Sequence, residues 1–315
     1  MIIRKLTTHF LEIFYFTYSH ILEKIKIAFL ILAVLGITVS SCQKDEGQID
    51  INVTDQIDAN DNNQIDIIDD APLTIQDIMV DVGGYQLYTL TSGSGNSTVV
   101  FEAGWGNGGK SWYTNDIFSS VAQSNQVISY NRAGYSPSEF GDDPRDLIQL
   151  SAELHKIITE VSQNDKVILV GHSLGGAIIQ YYAYEHPEKI KAILFIDPTV
   201  SVDVFKMTQS EEDAMVKLAV DLEELGIAKE AEQFMEDYVI LDGLPNLPNV
   251  PIRVLTSQKL EVGLTLEMMQ DWSNAHKALG EGIDDFKQIE TDKGGHYIHF
   301  DEPELVLNAL NEIID

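Results

Sequence analysis

The stretch Lys166–Pro187, KVILVGHSLGGAIIQYYAYEHP, carries Ser173 between Gly171 and Gly175 in the pattern G-x-S-x-G. A serine hydroxyl is a weak nucleophile at neutral pH. It becomes a useful one when it is held exposed, within reach of a base and beside donors that can take up developing negative charge. The spacing here addresses the first requirement. Val167–Val170 is an unbroken aliphatic run and reads as a strand buried on both faces. Ala177, Ile178, Tyr181, Tyr182 and Ala183 recur at helical spacing. A turn this tight between strand and helix demands residues without a Cβ two positions before and two after its apex. The apex residue is strained, and its side chain projects at a helix N-terminus, where the dipole favours negative charge.

Such a serine is of use only if other elements position its partners. Ile78–Val82 and Tyr85–Thr91 read as a hairpin around Gly83-Gly84, and Thr98–Glu102 as a third strand. Ser111–Ser124 has helical character and Gln126–Tyr130 reads as a strand. Asp146–Val161 is an amphipathic helix with Leu147, Leu150, Leu154, Ile157 and Ile158 on one face. After the quoted strand and helix come strands at Ala192–Ile196 and Pro251–Leu255, a helix at Leu264–Leu279, a strand at Phe286–Ile289 and a last helix at Pro303–Ile314. Strands alternating with helices predict an α/β fold, a mostly parallel central sheet with helices on both faces. Pro198–Asn249 inserts about fifty residues of acidic, helical text between two core strands, where a crossover loop normally takes only ~2–6. An insertion over the strand ends reads as a helical lid.

The order of elements, the turn at Ser173 and the segments FEAGWGN, YNRAGYSPS and GGHYIHFDEPE resemble the α/β-hydrolase superfamily over about residues 78–315. The resemblance implies a serine hydrolase in which Ser173 is the nucleophile and His296, in GGHYIH after the last strand, is the base. His299, three residues on, is the competing histidine, and His172 is read as structural, pointing away. The acid that orients the imidazole is Asp197, at the end of LFIDP, with Glu261 in TSQKLEVG as the alternative. The oxyanion hole is the Leu174 N–H and, by the motif match, the Trp105 N–H in AGWGNGG. The Trp105 ring either lines the acyl pocket or packs on the core. Asn131-Arg132-Ala133-Gly134-Tyr135-Ser136 matches a family turn that usually opens with Asp and has Gly at the Ser136 position. Arg132 there is architectural. Dehalogenases and epoxide hydrolases of the superfamily carry an aspartate where Ser173 stands, so the implied reaction is cleavage of a small-molecule carboxylic ester through an acyl-enzyme. That chemistry requires neither a metal nor an organic cofactor. An aminopeptidase-like hydrolase using lid carboxylates to hold an amine, and a non-catalytic binding lipoprotein on the same fold, are the competing readings.

Composition narrows the partners. Lys+Arg number 20 against 50 Asp+Glu among 315 residues, a formal charge of -30, which argues against nucleic-acid binding. The single cysteine, Cys42, excludes an intramolecular disulfide. It follows an apolar run, Ile27–Val39, preceded by Lys24 and Lys26 and closed by Val39-Ser40-Ser41. This resembles a bacterial lipoprotein signal, implying cleavage before Cys42, a lipid on that residue and a place in the cell envelope on a bacterial membrane. CQKDEG resembles the tether of surface-displayed lipoproteins. Met1–Glu23, a further apolar segment, is set aside from the fold. The expected organisation is a leader at 1–41, an acidic flexible tether at 42–72 and a hydrolase domain at 73–315, with its lid at about 198–249. Within the tether, Asp58–Asp69 resembles a calcium loop, although Asn63 replaces the turn glycine and Asp69 the bidentate Glu. The flexible-tether reading stands first.

Overall fold

The computed structural model describes residues 74–113, 116–141, 144–261 and 263–314. The leader, Cys42, the tether and the calcium-like segment Asp58–Asp69 lie outside the described residues.

The strands are β1 Gln76–Asp81, β2 Gln86–Ser92, β3 Thr98–Glu102, β4 Gln126–Tyr130, β5 Val167–His172, β6 Ile190–Ile196, β7 Ile252–Ser257 and β8 Phe286–Thr291. They form one eight-stranded sheet in the order β1-β2-β4-β3-β5-β6-β7-β8. β1 and β2 are antiparallel to each other, and β2 to β4. From β4 across to β8 every pairing is parallel. The helices are α1 Ile117–Ala122, α2 Leu147–Val161, α3 Leu174–Glu185, α4 Gln209–Asp221, α5 Leu225–Ala231, α6 Phe234–Asp242, α7 Leu266–Ala278, α8 Ile298–Asp301 and α9 Pro303–Ile314.

The continuous apolar text of the central strands has a simple cause. Successive side chains of a strand point to opposite faces, so a sheet covered on both sides needs apolar residues at every position. Val100, Leu169, Ile193 and Phe195 enter one core with Leu147, Leu154 and Ile157 of α2 and Ile178 and Tyr182 of α3. Val99, Phe101, Ile168, Val170 and Leu194 enter the other, with Ile117 and Phe118 of α1 and Val306 and Leu310 of α9. Each such aliphatic, fully buried, contributes ~1.5–3 kcal/mol.

One expectation is corrected. Ser111–Ser124 is not one helix: a 3-10 turn at Gly109–Trp112 precedes α1, and Asp116, at φ 60, stands between them. A right-handed helix cannot pass through a residue in the left-handed region. The His172 ring packs against those of His296 and His299. β5 runs two residues beyond the aliphatic run, so His172 shares the face of Val170 and meets the segment after β8.

The insertion between β6 and β7 is helical, made of a 3-10 turn at Asp203–Phe205 followed by α4, α5 and α6. α4 opens with a reciprocal cap, in which the side chains of Thr208 and Glu211 each bond the other's backbone end. Among the described residues no helix is long and apolar enough to cross a membrane.

Candidate active site

Ser173 sits at φ 52, ψ -122, between the end of β5 and the first residue of α3. The strain is enforced by packing. A Cβ on Gly175 would stand 2.4 Å from the Glu102 carbonyl oxygen and 2.7 Å from that of Ala103, so α3 approaches the end of β3 backbone to backbone. Gly104 is under the same pressure on the other side: a Cβ there would lie 2.7 Å from His172 Nδ1 and 3.2 Å from Ser173 Cβ. The loop after β3 thereby passes directly over the serine. The backbone N–H groups of Trp105 in that loop and of Leu174 at the start of α3 have no intramolecular acceptor among the described residues.

His296 is delivered by the loop between β8 and α8. The loop is held at several points. Gly294 N–H donates to Glu302 Oε1 at 2.9 Å, Gly295 N–H to Asp301 Oδ2 at 2.8 Å, and Ser257 Oγ donates to the Gly294 carbonyl at 2.9 Å. From below, His172 Nε2 bonds the His296 carbonyl at 2.9 Å, and the two rings lie 4.7 Å apart. His299 is buried against Trp112, with ring centroids 4.8 Å apart, and burial pulls its pKa down to about 3. It is a core histidine, not a base in the cavity. His172 is likewise buried, and burial followed by the His299 and His296 rings lowers its pKa well below the usual value.

Asp197 ends β6 at φ 42 and is buried. Its Oδ2 meets His296 Nδ1 at 2.7 Å. Its Oδ1 accepts from Ser257 N–H at 3.0 Å and from Trp272 Nε1 at 3.0 Å. Burial works against the carboxylate's charge. The bond and charge of His296, His276 and the Ser257 N–H outweigh it, and the pKa falls below the usual carboxylate value. Glu261, the other candidate acid, lies against the Gly295 backbone instead, where a Cβ would stand 2.2 Å from its Oε1. Trp272 carries no sequence signal for this role. Neither does His276, which is wholly buried and packs 4.7 Å from the Trp272 ring. Its ring nitrogens bond Thr256 Oγ1 at 2.8 Å and the Pro198 carbonyl at 2.9 Å.

Behind the loop after β3 lies a buried charge cluster. Arg132 Nη1 reaches Glu102 Oε1 at 2.9 Å and the Ala103 carbonyl at 2.7 Å, and Nη2 reaches the Gly104 carbonyl at 3.1 Å. The guanidinium also binds Glu230 of the lid, Nε to Oε1 at 2.6 Å and Nη2 to Oε2 at 3.1 Å. Tyr130 donates to Glu102 and Tyr135 to Glu230, each at 2.5 Å. Burial raises the Glu102 pKa to about 7, against the pull of Arg132. Arg132 is architectural, as the resemblance implies, and its architecture extends into the lid. Asn131 uses its amide for backbone support, accepting from Gly109 N–H at 2.8 Å and donating to the Ser136 carbonyl at 2.7 Å.

A cavity of about 150 Å³ lies beneath the lid, lined by Ser173, His296, Leu174, Trp105, Ala177, Thr199, Met207, Met215, Phe234, Asp237, Tyr238, Leu241 and Tyr297. The Trp105 ring lines it, with Nε1 bonded to the Ile227 carbonyl at 2.9 Å and its ring edge-on to Phe234 at 5.4 Å. Among the described residues no group of three or more His, Cys, Asp or Glu side chains converges as a metal site.

The sheet order, the strained serine between β5 and α3 and the helical insertion after β6 define the α/β-hydrolase fold. A family model described as alpha/beta hydrolase fold matches residues 97–242. The chain is similar to the uncharacterized protein YbdG of Bacillus subtilis, 31% identical over 119 residues, which are 38% of this chain and 37% of that protein. It is similar to YqjL of the same organism, also uncharacterized, 23% identical over 224 residues, 70% of this chain and 85% of that one. Among solved structures, an esterase from Thermogutta terrifontis superposes with a TM-score of 0.61 at 16% identity, covering 75% of this chain and 97% of that one. An epoxide hydrolase from Vigna radiata superposes with a TM-score of 0.62 at 13% identity, covering 76% and 98%.

Proposed function

We propose that this chain is a serine hydrolase that cleaves a carboxylic ester through an acyl-enzyme intermediate. The observation that carries the reading is a strained Ser173 sharing a cavity with His296, whose Nδ1 is 2.7 Å from a buried carboxylate. In this mechanism Ser173 Oγ attacks the ester carbonyl and its proton passes to His296 Nε2. Asp197 holds the ring by Nδ1–H and stabilises the imidazolium. The N–H groups of Trp105 and Leu174 take up the oxyanion. The carbon–oxygen bond to the alcohol breaks, and His296 protonates that alcohol as it leaves. Water then repeats the sequence on the acyl-enzyme, releasing the acid and restoring Ser173.

Epoxide hydrolases are among the structures of similar fold, and an aspartate at the Ser173 position is what the resemblance implies for their route. The serine favours the ester. The peptidase reading needs a lid carboxylate free to hold an ammonium. Glu230 is engaged by Arg132, and Glu212 accepts from Met235 N–H at 2.9 Å. Asp237 lines the cavity, yet burial pushes its pKa up to about 8. The anchoring of the enzyme to a bacterial membrane through a lipid on Cys42 belongs to the same proposal, and Cys42→Ala releasing the protein from membranes is its check.

The test of catalysis is labelling of the purified protein with a fluorophosphonate and mapping of the modified peptide. A stoichiometric adduct on Ser173, lost in His296→Ala, is expected. A folded protein that takes up no probe and hydrolyses no ester is instead a binding lipoprotein.

A further inference from the structure

Asp237 is the one lid carboxyl that lines the cavity, and its surroundings are unusual for an acid. It is buried, and Met207, Met215, Phe234, Tyr238 and Leu241 line the same space. Oδ1 accepts from Leu147 N–H, the first residue of α2, at 2.9 Å. That bond fixes the carboxyl plane. Oδ2 is buried and has no hydrogen-bond partner among the described residues. Buried polar atoms are almost always partnered, so an orphan on a residue that lines a ligand cavity asks for a partner that arrives with the ligand, and because Oδ2 is itself buried the lid side chains around it must shift to admit one.

The chemistry of that partner follows from the protonation state. An isolated carboxylate in an apolar pocket is strongly disfavoured, and the group neutralises instead. Burial, resisted by the Leu147 N–H and reinforced by the charges of Asp146, Glu230 and Glu236, holds the pKa at about 8. At neutral pH the carboxyl carries a proton, and Oδ1 is already an acceptor. The proton resides on Oδ2, which makes Asp237 a hydrogen-bond donor.

We infer that Asp237 is a specificity-determining residue whose Oδ2–H donates to an oxygen acceptor (a ketone, ether or hydroxyl oxygen) on the part of the substrate seated under the lid. The inference rests on the ester-hydrolase reading. It narrows the substrate class from esters in general to short esters with an oxygen function in the acyl or alcohol part, and it disfavours a cationic group at that position.

The experiment compares kcat/KM within two pairs of esters: p-nitrophenyl 4-oxopentanoate against 4-methylpentanoate, and 2-methoxyethyl acetate against butyl acetate. Ratios taken within one protein cancel differences in folded fraction. In at least one pair the oxygenated ester is favoured by the wild type relative to Asp237→Leu by about five- to tenfold, the worth of one hydrogen bond. Asp237→Asn keeps a donor and an acceptor in the same places and retains the preference. Should Asp237→Leu fail to fold, the wild type itself supplies the check. Its ratio falls as pH rises from 6 to 9 and the carboxyl loses its proton, while that of Asp237→Asn stays flat. Equal ratios in wild type and Asp237→Leu for both pairs, or a pH-independent ratio in the wild type, overturn the inference while leaving the hydrolase reading intact. A wild-type preference for an ammonium-bearing ester overturns it as well. No hydrolysis of any of the four esters by a protein whose Ser173 still takes up fluorophosphonate overturns this inference alone, and no hydrolysis together with no adduct removes the hydrolase reading and this inference with it.

Discussion

Replacing Trp272 with Phe tests whether the acid of the site works through its hydrogen bonds. The carboxylate of Asp197 accepts three: from His296 Nδ1 at 2.7 Å, Ser257 N–H at 3.0 Å and Trp272 Nε1 at 3.0 Å. Phe keeps a ring beside Phe205, whose centroid lies 4.8 Å from that of Trp272, and removes the indole donor together with the bulk of one ring. A hydrogen bond to a charged group is worth ~1.5–3 kcal/mol. Part of that is felt equally before and during reaction. About 1–2 kcal/mol is left to act on the transition state of the proposed reaction, where an imidazolium would lean on Asp197. At 1.36 kcal/mol per factor of ten, this predicts a five- to thirtyfold fall in kcat, roughly, with KM unchanged. Asp197→Asn, which also forfeits the correct histidine tautomer, should fall by on the order of 10⁴. The assay is steady-state hydrolysis of a p-nitrophenyl ester, with a thermal melt on each variant to exclude unfolding. A Trp272→Phe enzyme with kcat within twofold of wild type, or with its loss entirely in KM, would refute the reasoning.

Arg132→Met strands two buried carboxyls and the carbonyls of Ala103 and Gly104. It should cost ~3–5 kcal/mol of unfolding free energy in a denaturant titration, whereas Glu230→Gln costs less. Gly104→Ala places its methyl 2.7 Å from His172 Nδ1. Overpacking of this kind costs ~1–3 kcal/mol, and fluorophosphonate labelling of Ser173 is expected to slow far more than the melting temperature falls. The contribution of His299 to stability is also expected to decline with acid. His299, whose pKa is about 3 when folded and ~6.5 when unfolded, stays neutral inside while the unfolded chain takes up a proton. That difference is absent above pH ~6.5 and grows by ~1.4 kcal/mol for each unit below it, until pH reaches the folded value. Glu102, held at about 7, and Asp237, held at about 8, have the opposite sign over the same window, so the His299 contribution is read as a difference between two proteins. The stability of the wild type relative to a His299→Asn variant should fall by ~1.5–2 kcal/mol between pH 6.5 and 5.

Much of this architecture was legible because it depends on local pattern. The turn at Ser173 announces itself by two glycines flanked by two different apolar periods, and the strands by runs that satisfy both faces of a covered sheet. Asp197 and Glu261 remained alternatives because each follows a strand. Only the geometry brings one of them to His296 Nδ1. Trp272, His276 and Asp237 were invisible for a different reason. Their significance lies in which atoms they face across long sequence separations, and a tryptophan or aspartate on an amphipathic helix looks the same whether it faces water or a buried carboxylate. The helix expected at Ser111–Ser124 failed on one residue, Asp116 at φ 60, a conformation that no propensity at its neighbours reports.

The cluster at Arg132 bears on whether the insertion after β6 could be exchanged. The insertion after β6 supplies Met207, Met215, Phe234, Asp237, Tyr238 and Leu241 to the cavity wall. Here that segment is keyed to the floor beneath it, because the same guanidinium that tethers Glu230 also steadies the carbonyls of Ala103 and Gly104, two and one residues ahead of Trp105. A foreign insertion grafted at this junction would have to bring its own acid to the Glu230 position. A graft without one would free the guanidinium to draw on Glu102 alone and loosen the loop over Ser173. Modularity in this chain is therefore conditional: the roof is replaceable only together with its keystone.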